Sequence, residues 1–527
     1  MNKISESSDF NVAATVARKP DETPCETHLV PVVERFLLGR SDVGNGERLA
    51  RRFNARVRYS PGRGWAVWNG ARFVFGAGED RALGLFSRLS ELVLEEAEAV
   101  EAAPETQRVP ASDRSAFSAL DDVRGWNFRE RREQVDAHRK HVRTCQSLRA
   151  IRSAMALARP KLATESEDFD GRLDLLNCSN GALDQRAFRQ RARQREHAPG
   201  EGEASVAIGP HDPAHLFTKC AAARYEPDAD GGRWESFLTA VLPDPEVRDL
   251  LQRALGSSLF GGNPAQIAIC LHGRGGNGKS TLMNAVAHAL GDYAVPCKIE
   301  LLMVDRHGGS AAAPSPEEMR LPGARLYVCP EPEAGDKLSA KKIKHFTGGD
   351  ARPIRAPYAT EEAVYKPSGV PVILCNHRPL MDTQDEALSR RVLVVPFDQR
   401  LDRLPVGRRR RQSELELELR ADASAILNWL LDGYGAYSHG GLGDAAGPAM
   451  LTAGNGGTIE SFLSERVVSS SRARLAKKEL HAAYSSWVGE RGKDPAPFAA
   501  FNRAMKRLGH ADYKSGGVMH WRDLRLV

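Results

Sequence analysis

The chain is 527 residues long, room for about three or four domains that each bury a core of their own. Hydrophobic residues make up 41% and charged residues 27%, the balance of a water-soluble globular protein, and a formal net charge of +6 permits a polyanionic partner without demanding one. No run reaches the roughly 18 apolar residues of a bilayer-spanning helix, and the N-terminus has no signal-peptide core, so no membrane partner is expected and a cytoplasmic location is.

In chain order, residues 1–40 are polar and irregular and read as a disordered arm. A helix start at Asp42 and an alternating apolar and polar stretch from Val57 to Val74 predict a small α+β module over 41–103, in which Trp65 and Trp68 more readily fill the core of a small sheet than stack on bases. The basic stretch Phe128 to Ala158 puts Leu148, Ile151 and Met155 on one helical face and Arg139, Lys140, Arg143, Arg149 and Arg152 on the other, a pattern that reads as solvated charge, with nucleic-acid contact the alternative. Asp168-Phe-Asp170 has the form of paired metal-holding carboxylates, but no further acidic or histidine residues surround it, and a polar turn is the simpler account. Helices near Trp234 and from Asp244 to Phe260 complete a helical collar assigned to 113–260.

Beyond the collar, the runs Ile267 to Leu271, Arg325 to Cys329, Val370 to Cys375 and Val392 to Phe397 are short, apolar and rich in β-branched residues. They predict an α/β domain over 261–435 whose parallel sheet is covered on both faces. Arg408 to Arg411 reads as a solvated loop, and the Gly- and Ala-rich stretch from Gly433 to Gly457 as a linker. Residues 458–527 hold three helical segments and two alternating stretches joined at Gly516-Gly517, a winged-helix-like pattern that places Arg503, Lys506 and Arg507 on a candidate DNA-recognition helix, with protein binding the alternative use of the same fold. The eight cysteines are scattered with no Cys-x-x-Cys pair, so neither a zinc site nor a disulfide framework is expected.

The chemistry concentrates after the first apolar run. Gly273, Gly275, Gly276, Asn277, Gly278, Lys279, Ser280 and Thr281 follow the pattern Gly-x-x-x-x-Gly-Lys-Ser between a strand and a helix, the form of a P-loop. Its glycines free backbone N–H groups to face a triphosphate, Lys279 reaches the outer phosphates, and Ser280 ligates Mg²⁺. The strand ending at Cys329 delivers Glu331 and Glu333, either of which can hold the metal shell and activate water. The strand ending at Cys375 delivers Asn376, whose amide can orient that water. Lys344 to Asp350 precedes two β-like arms around Ala359 to Glu362, the signature of a hairpin, and Arg390-Arg391 stands just before an apolar strand, where a guanidinium can reach a phosphate across a subunit boundary.

This set, in this order, resembles the superfamily 3 helicases, and within them the phage and plasmid primase/helicase family with its poxvirus nucleoside triphosphatase relatives. The resemblance spans about residues 40 to 527, and its most specific parts are Lys344 to Asp350, Cys375-Asn-His-Arg-Pro379 and Arg390-Arg391. It implies an AAA+-like core using ATP and Mg²⁺ in a homo-hexameric ring that acts on single-stranded DNA in phage, prophage or plasmid replication. In that ring Lys279 and Ser280 come from one subunit and an arginine finger, Arg390 or Arg391, from the next; Glu331 matches the acid that holds the metal shell, and Asn376 the sensor. The hairpin, with Lys344, Arg355, Tyr358 and Lys366, projects into the central channel and moves DNA. No metal-binding triad precedes the collar, so no primer-synthesis domain is expected. Two alternatives stand beside the helicase: an ATP-switched replication initiator that does not unwind, and a small-molecule kinase.

Overall fold

A computed structural model describes residues 32–102, 126–190, 208–273, 275–304, 317–333, 336–354, 362–376, 386–401, 412–449, 459, 462–463, 466–490, 495–508 and 510–526. The chain divides into two compact units that interleave in sequence: residues 1–54 with 79–163, and residues 55–78 with 164–527. The sequence pattern joined the helices of 41–103 to the β stretch between them, whereas the structure assigns them to different units.

The first unit is helical. Helix α1 (Asp42–Phe53) starts on Ser41, whose side chain accepts from the Gly44 N–H, and α2 (Gly78–Phe86) and α3 (Leu89–Ala102) follow. Asn127 and Glu130 form a reciprocal capping box at the start of α4 (Phe128–Cys145), and Ser147 caps α5 (Leu148–Ala158). On α5, Ile151 and Met155 are buried and Leu148 is exposed.

The interior of this unit holds an ionic cluster. Arg48, Glu96 and His138 are each fully buried, with Arg48 Nε donating to Glu96 Oε2 at 2.7 Å and Arg48 Nη1 to the Gly39 carbonyl at 2.6 Å. Phe36 stacks on the His138 ring with centroids 3.9 Å apart. Burial, the larger effect, pulls the His138 pKa below its usual value against the opposing pull of Glu96. His138 is therefore neutral when folded and takes up a proton more readily when unfolded. Its stabilising contribution is complete above about pH 6.5 and is lost as pH falls toward the folded-state pKa.

In the second unit, β1 (Val57–Ser60), β2 (Gly64–Trp68) and β3 (Phe73–Val74) form an antiparallel sheet in which Trp65 is buried. The β1–β2 turn needs glycine at position 62, where φ is +72° and a Cβ would lie 2.8 Å from the Ala363 nitrogen. This small sheet is tied into its unit by the Thr164 N–H to the Tyr59 carbonyl at 2.8 Å, the Phe73 N–H to the Phe217 carbonyl at 2.7 Å, and the Arg72–Asp292 ion pair at 2.6 Å. Asp168-Phe169-Asp170 is indeed a turn: Asp170 sits at φ +57° and accepts from the Thr218 N–H at 2.7 Å. A second hairpin pairs β4 (Leu175–Cys178) with β5 (Gly181–Asp184), and helices α6 (Gly232–Val241) and α7 (Pro245–Gly256) lead into the main sheet.

That sheet contains β6 (Ala268–His272), β7 (Ala294–Pro296), β8 (Leu326–Cys329), β11 (Val370–Cys375) and β12 (Val392–Pro396), all parallel, in the spatial order β12-β6-β11-β8-β7. Between its members, β9 (Arg352–Ile354) and β10 (Ala363–Tyr365) pair as the arms of an antiparallel hairpin. The strands alternate cleanly between two cores. Ile269, Leu271, Val372, Leu393 and Val395 face α7 and α8 (Lys279–Leu290), whereas Cys270, Tyr327, Cys329, Ile373, Cys375 and Val394 face α9 (Ala340–Gly348) and both hairpin arms. Both faces are covered, as the unbroken apolar runs predict.

Helices α10 (Gln412–Ala421) and α11 (Ala423–Gly440) close the first face. Residues 433–440, read from composition as linker, are the last two turns of α11. The glycines there serve packing: a Cβ on Gly433 would lie 2.2 Å from the Gln252 carbonyl oxygen of α7, and one on Gly256 would lie 2.4 Å from the Tyr434 nitrogen. The C-terminal part contains α12 (Lys477–Glu490), α13 (Phe498–Arg507) and an antiparallel sheet in which β15 (Val518–Leu526) lies between β13 (Val467–Ala476) and β14 (Asp512–Ser515). Trp521 is fully buried there, with the Lys477 ammonium 4.4 Å from its ring centroid. No helix among the described residues is long and apolar enough to cross a membrane.

Two outcomes test this architecture. Gly433→Val drives side-chain atoms into the α7 backbone and is expected to cost about 3 kcal/mol, read as a lowered unfolding midpoint. His138→Gln removes the titrating ring, so the loss of stability between pH 7 and pH 5 is expected to be shallower than in the parent protein; an unchanged slope refutes the assignment.

Candidate active site

Parallel strands deliver their following residues to one edge, so the carboxyl ends of β6, β8 and β11 place Gly273, Glu331 and Asn376 side by side. The chain runs from β6 to the far edge of the sheet at β7, steps back through β8 and β11, and then passes β6 to form β12. This reversal leaves the loop after β6 at a switch point, where ligands bind in open α/β sheets.

The loop is fixed from below and from one side. The Gly273 N–H donates to the Cys375 carbonyl at 3.1 Å, Asn277 Nδ2 donates to the Phe397 carbonyl at 2.7 Å, and the Leu401 N–H donates to the Gly276 carbonyl at 3.0 Å. Gly278 has φ +86°, and a Cβ there would lie 2.6 Å from Val241 Cγ1. Among the described residues, none lies within 4 Å of a Cβ built at Gly275. Helix α8 begins at Lys279 without a side-chain cap on its first N–H groups. Those uncapped donors and the dipole of a 12-residue helix make a fit for an anion. Ser280 is exposed beside them, while Thr281 is buried.

One hydrogen-bonded chain links the predicted residues. Lys279 Nζ donates to the Gly273 carbonyl, to Asn277 Oδ1 at 2.9 Å and to Asn376 Oδ1 at 3.1 Å. Asn376 in turn donates its backbone N–H to Glu331 Oε1 at 2.8 Å and its Nδ2 to Glu331 Oε2 at 2.7 Å. Burial lowers the Lys279 pKa from its usual value, opposed by Cys375, Glu331 and Cys270, which raise it. Of the two glutamates left open by the sequence, Glu331 joins this chain, whereas the Glu333 N–H is turned toward Asp336 Oδ2 at 2.8 Å.

The two arginines also separate. Arg391 is held within its own chain, Nε to Thr347 Oγ1 at 3.2 Å and Nη2 to Gln266 Oε1 at 3.0 Å, while Arg390 is exposed. Lys344 on α9 and Lys366 after β10 are exposed as well. Arg355 and Tyr358 lie outside the described residues, as do Arg408 to Arg411 and the side chain of Arg507. On α13 Arg503 is exposed, and Lys506 forms an ion pair with Asp512 at 3.2 Å.

The clamp formed by Phe397 and Leu401 has no signal in the sequence, because both act through backbone atoms. A cavity of about 430 Å³ lies apart from this cluster, between α6, α11 and the segment after Tyr225, with Trp234 and Trp429 in its wall; none of its lining residues belongs to the Lys279 cluster. No group of three or more His, Cys, Asp or Glu side chains able to hold a metal occurs among the described residues. The residues here fit Mg²⁺ in a different way, through one hydroxyl, one carboxylate and the oxygens of a bound phosphate.

Gly278→Ala is expected to destabilise the chain by about 1–3 kcal/mol through the contact with Val241. In a double-mutant cycle the same substitution costs less in a Val241→Ala background, with a residue of about 1–2 kcal/mol left by the left-handed backbone. Full additivity contradicts the contact.

Residues 46–243 match the family described as D5 N terminal like. Over 189 residues the chain is 34% identical to a protein of Acanthamoeba polyphaga mimivirus named "Putative helicase", covering 35% of this chain and 19% of that one. It is 31% identical over 166 residues to a "Putative helicase" of Frog virus 3, covering 31% and 17%. It is 26% identical over 223 residues to a "Putative primase" of African swine fever virus, covering 40% and 23%. The matches thus span 17% to 23% of the length of these curated relatives. A solved structure, the apo C-terminal region of NrS-1, covers 65% of this chain and 91% of its own at 11% identity and a TM-score of 0.33. The chain is therefore similar to D5-like primase–helicase proteins of large DNA viruses.

Proposed function

We propose that this chain is an ATP-driven DNA helicase of superfamily 3 type, which assembles as a ring, a hexamer by resemblance, and moves single-stranded DNA during replication. The observation that carries this reading is the chain Lys279–Asn376–Glu331 beneath an uncapped helix N-terminus at the switch point of a parallel sheet. The names of the viral relatives support the same class of activity. In this reading residues 261–435 are a P-loop ATPase and 458–527 a winged-helix-like domain that meets DNA through Arg503, Lys506 and Arg507.

The geometry supports the following roles. Lys279 now spends its donors on the Gly273 carbonyl, Asn277 and Asn376, and a triphosphate replaces these with stronger, charge-assisted partners. Asn376, released on one side, keeps Glu331 aligned and turns its amide toward an attacking water. Glu331 accepts the proton from that water, and Ser280 with Glu331 would hold Mg²⁺, whose chemistry is to neutralise phosphate charge. Arg390, exposed where Arg391 is tied, is the better finger for the site of an adjacent subunit. Lys344 and Lys366 supply cations for a DNA backbone beside the hairpin.

ATP turnover is expected to rise with single-stranded DNA and to fall on the order of 10²–10³-fold in both Lys279→Ala and Arg390→Ala. Arg390→Ala keeps nucleotide binding, and mixing the two inactive variants restores some turnover, because a mixed ring contains interfaces with both elements intact. Failure of the mixture to recover, or a fully active monomer, sinks the shared site. Hydrolysis without displacement of a forked DNA strand leaves an initiator in place of a helicase.

A further inference from the structure

We propose that Cys270 and Cys375 form a dithiol modification site under the glycine loop, where a peroxide joins them as a disulfide and so shuts the site above. The functional consequence rests on the nucleotide-binding reading; the modification itself does not. Cys270 lies on β6 and Cys375 on the adjacent β11, both fully buried on the same face of the sheet, with their sulfurs 2.6 Å apart. In register Cys270 stands opposite Ile373 and Cys375 opposite His272, so the two are diagonal neighbours. Diagonal positions in a sheet are about 7–8 Å apart, whereas a disulfide draws its Cα atoms to about 4.4–6.8 Å. Bond formation therefore pulls one strand end toward the other.

That pull acts where the site is most sensitive. The Cys375 carbonyl accepts the Gly273 N–H at 3.1 Å, and the residue after Cys375 is Asn376, the link between Lys279 and Glu331. Both sulfurs lie near enough to the Lys279 ammonium to attract it, which sets the pair directly beneath the residue that reaches for phosphate. A nucleotide held by the loop fixes Gly273, and with it the Cys375 carbonyl, against that pull, so bound nucleotide protects the pair.

Both thiols are shielded from solvent, which selects hydrogen peroxide, small and neutral, as oxidant. One thiolate attacks the peroxide O–O bond, giving a sulfenic acid and water after proton transfer; the second thiolate attacks that sulfur, forming the S–S bond and releasing a second water. Two thiols are oxidised and one peroxide is reduced.

The test treats the assembled full chain with hydrogen peroxide, with and without a non-hydrolysable ATP analogue, and locates disulfides by mass-spectrometric peptide mapping. Expected are a Cys270–Cys375 cross-link, protection by the analogue, loss of ATP turnover that dithiothreitol reverses, and turnover in Cys270→Ala that peroxide does not reduce. The idea is overturned by oxidised parent protein without that cross-linked peptide, or by equal peroxide inactivation of Cys270→Ala. Should Cys270→Ala not fold, the peptide map of the parent protein decides alone. Should the reduced protein hydrolyse no ATP, the proposed function fails, and the map still tests the dithiol.

Discussion

Everything at the candidate site depends on the parallel register of β6 and β11. That register puts Cys375 opposite His272, so the Gly273 N–H meets the Cys375 carbonyl and Asn376 emerges level with the loop that carries Lys279. A slip of one residue would send alternate side chains to the opposite core and leave Asn376 on the wrong level for both Lys279 and Glu331. The hydrophobic alternation of the strands, with one set of residues facing α7 and α8 and the other facing α9 and the hairpin arms, is what forbids the slip. Burial on two faces thus sets the geometry of three polar residues that lie far apart in the chain.

The same alternation joins the site to the hairpin. Ile354, Ala363 and Tyr365, from the two arms, are buried in one core with Cys270, Cys375 and Val394, from the strands that end at or flank the loop. Interiors are packed at crystal-like density, so a shift at the strand ends is not absorbed by empty space before it reaches the arms. Gly62 adds a contact at the foot of β10, where its backbone approaches that of Glu362 and Ala363.

Much of this could be read from the amino acids. Unbroken apolar runs ending in chemistry-bearing residues gave the buried strands and the loop, because parallel strands covered on both faces leave that pattern. Strand order was not legible, since order is decided by which face each crossover covers and no single run records it. Arg390 and Arg391 could not be told apart by type; contacts such as those of Thr347 and Gln266 with Arg391 separate them. Glycine misled at 433–440, where composition pointed to a linker and the structure uses small residues to let α11 and α7 touch backbone to backbone. The split of 41–103 between two units was hidden for the same reason: local pattern describes an element but not which partner buries it.

The placement of residues 55–78 has a consequence for how the chain is made. Their tie to Asp292, through Arg72, spans 220 positions of sequence. At about 5–20 residues per second, a ribosome takes on the order of ten to forty seconds to supply that partner after Arg72 has been added. Within that interval Thr164 and then Phe217 reach β1 to β3 while Asp292 is still to come, and the helices of the first unit already have the sequence they need to assemble by about residue 163. The first unit therefore has its whole sequence while the inserted strands still lack one of their ties, and exposed strand edges in that interval need shelter from premature pairing.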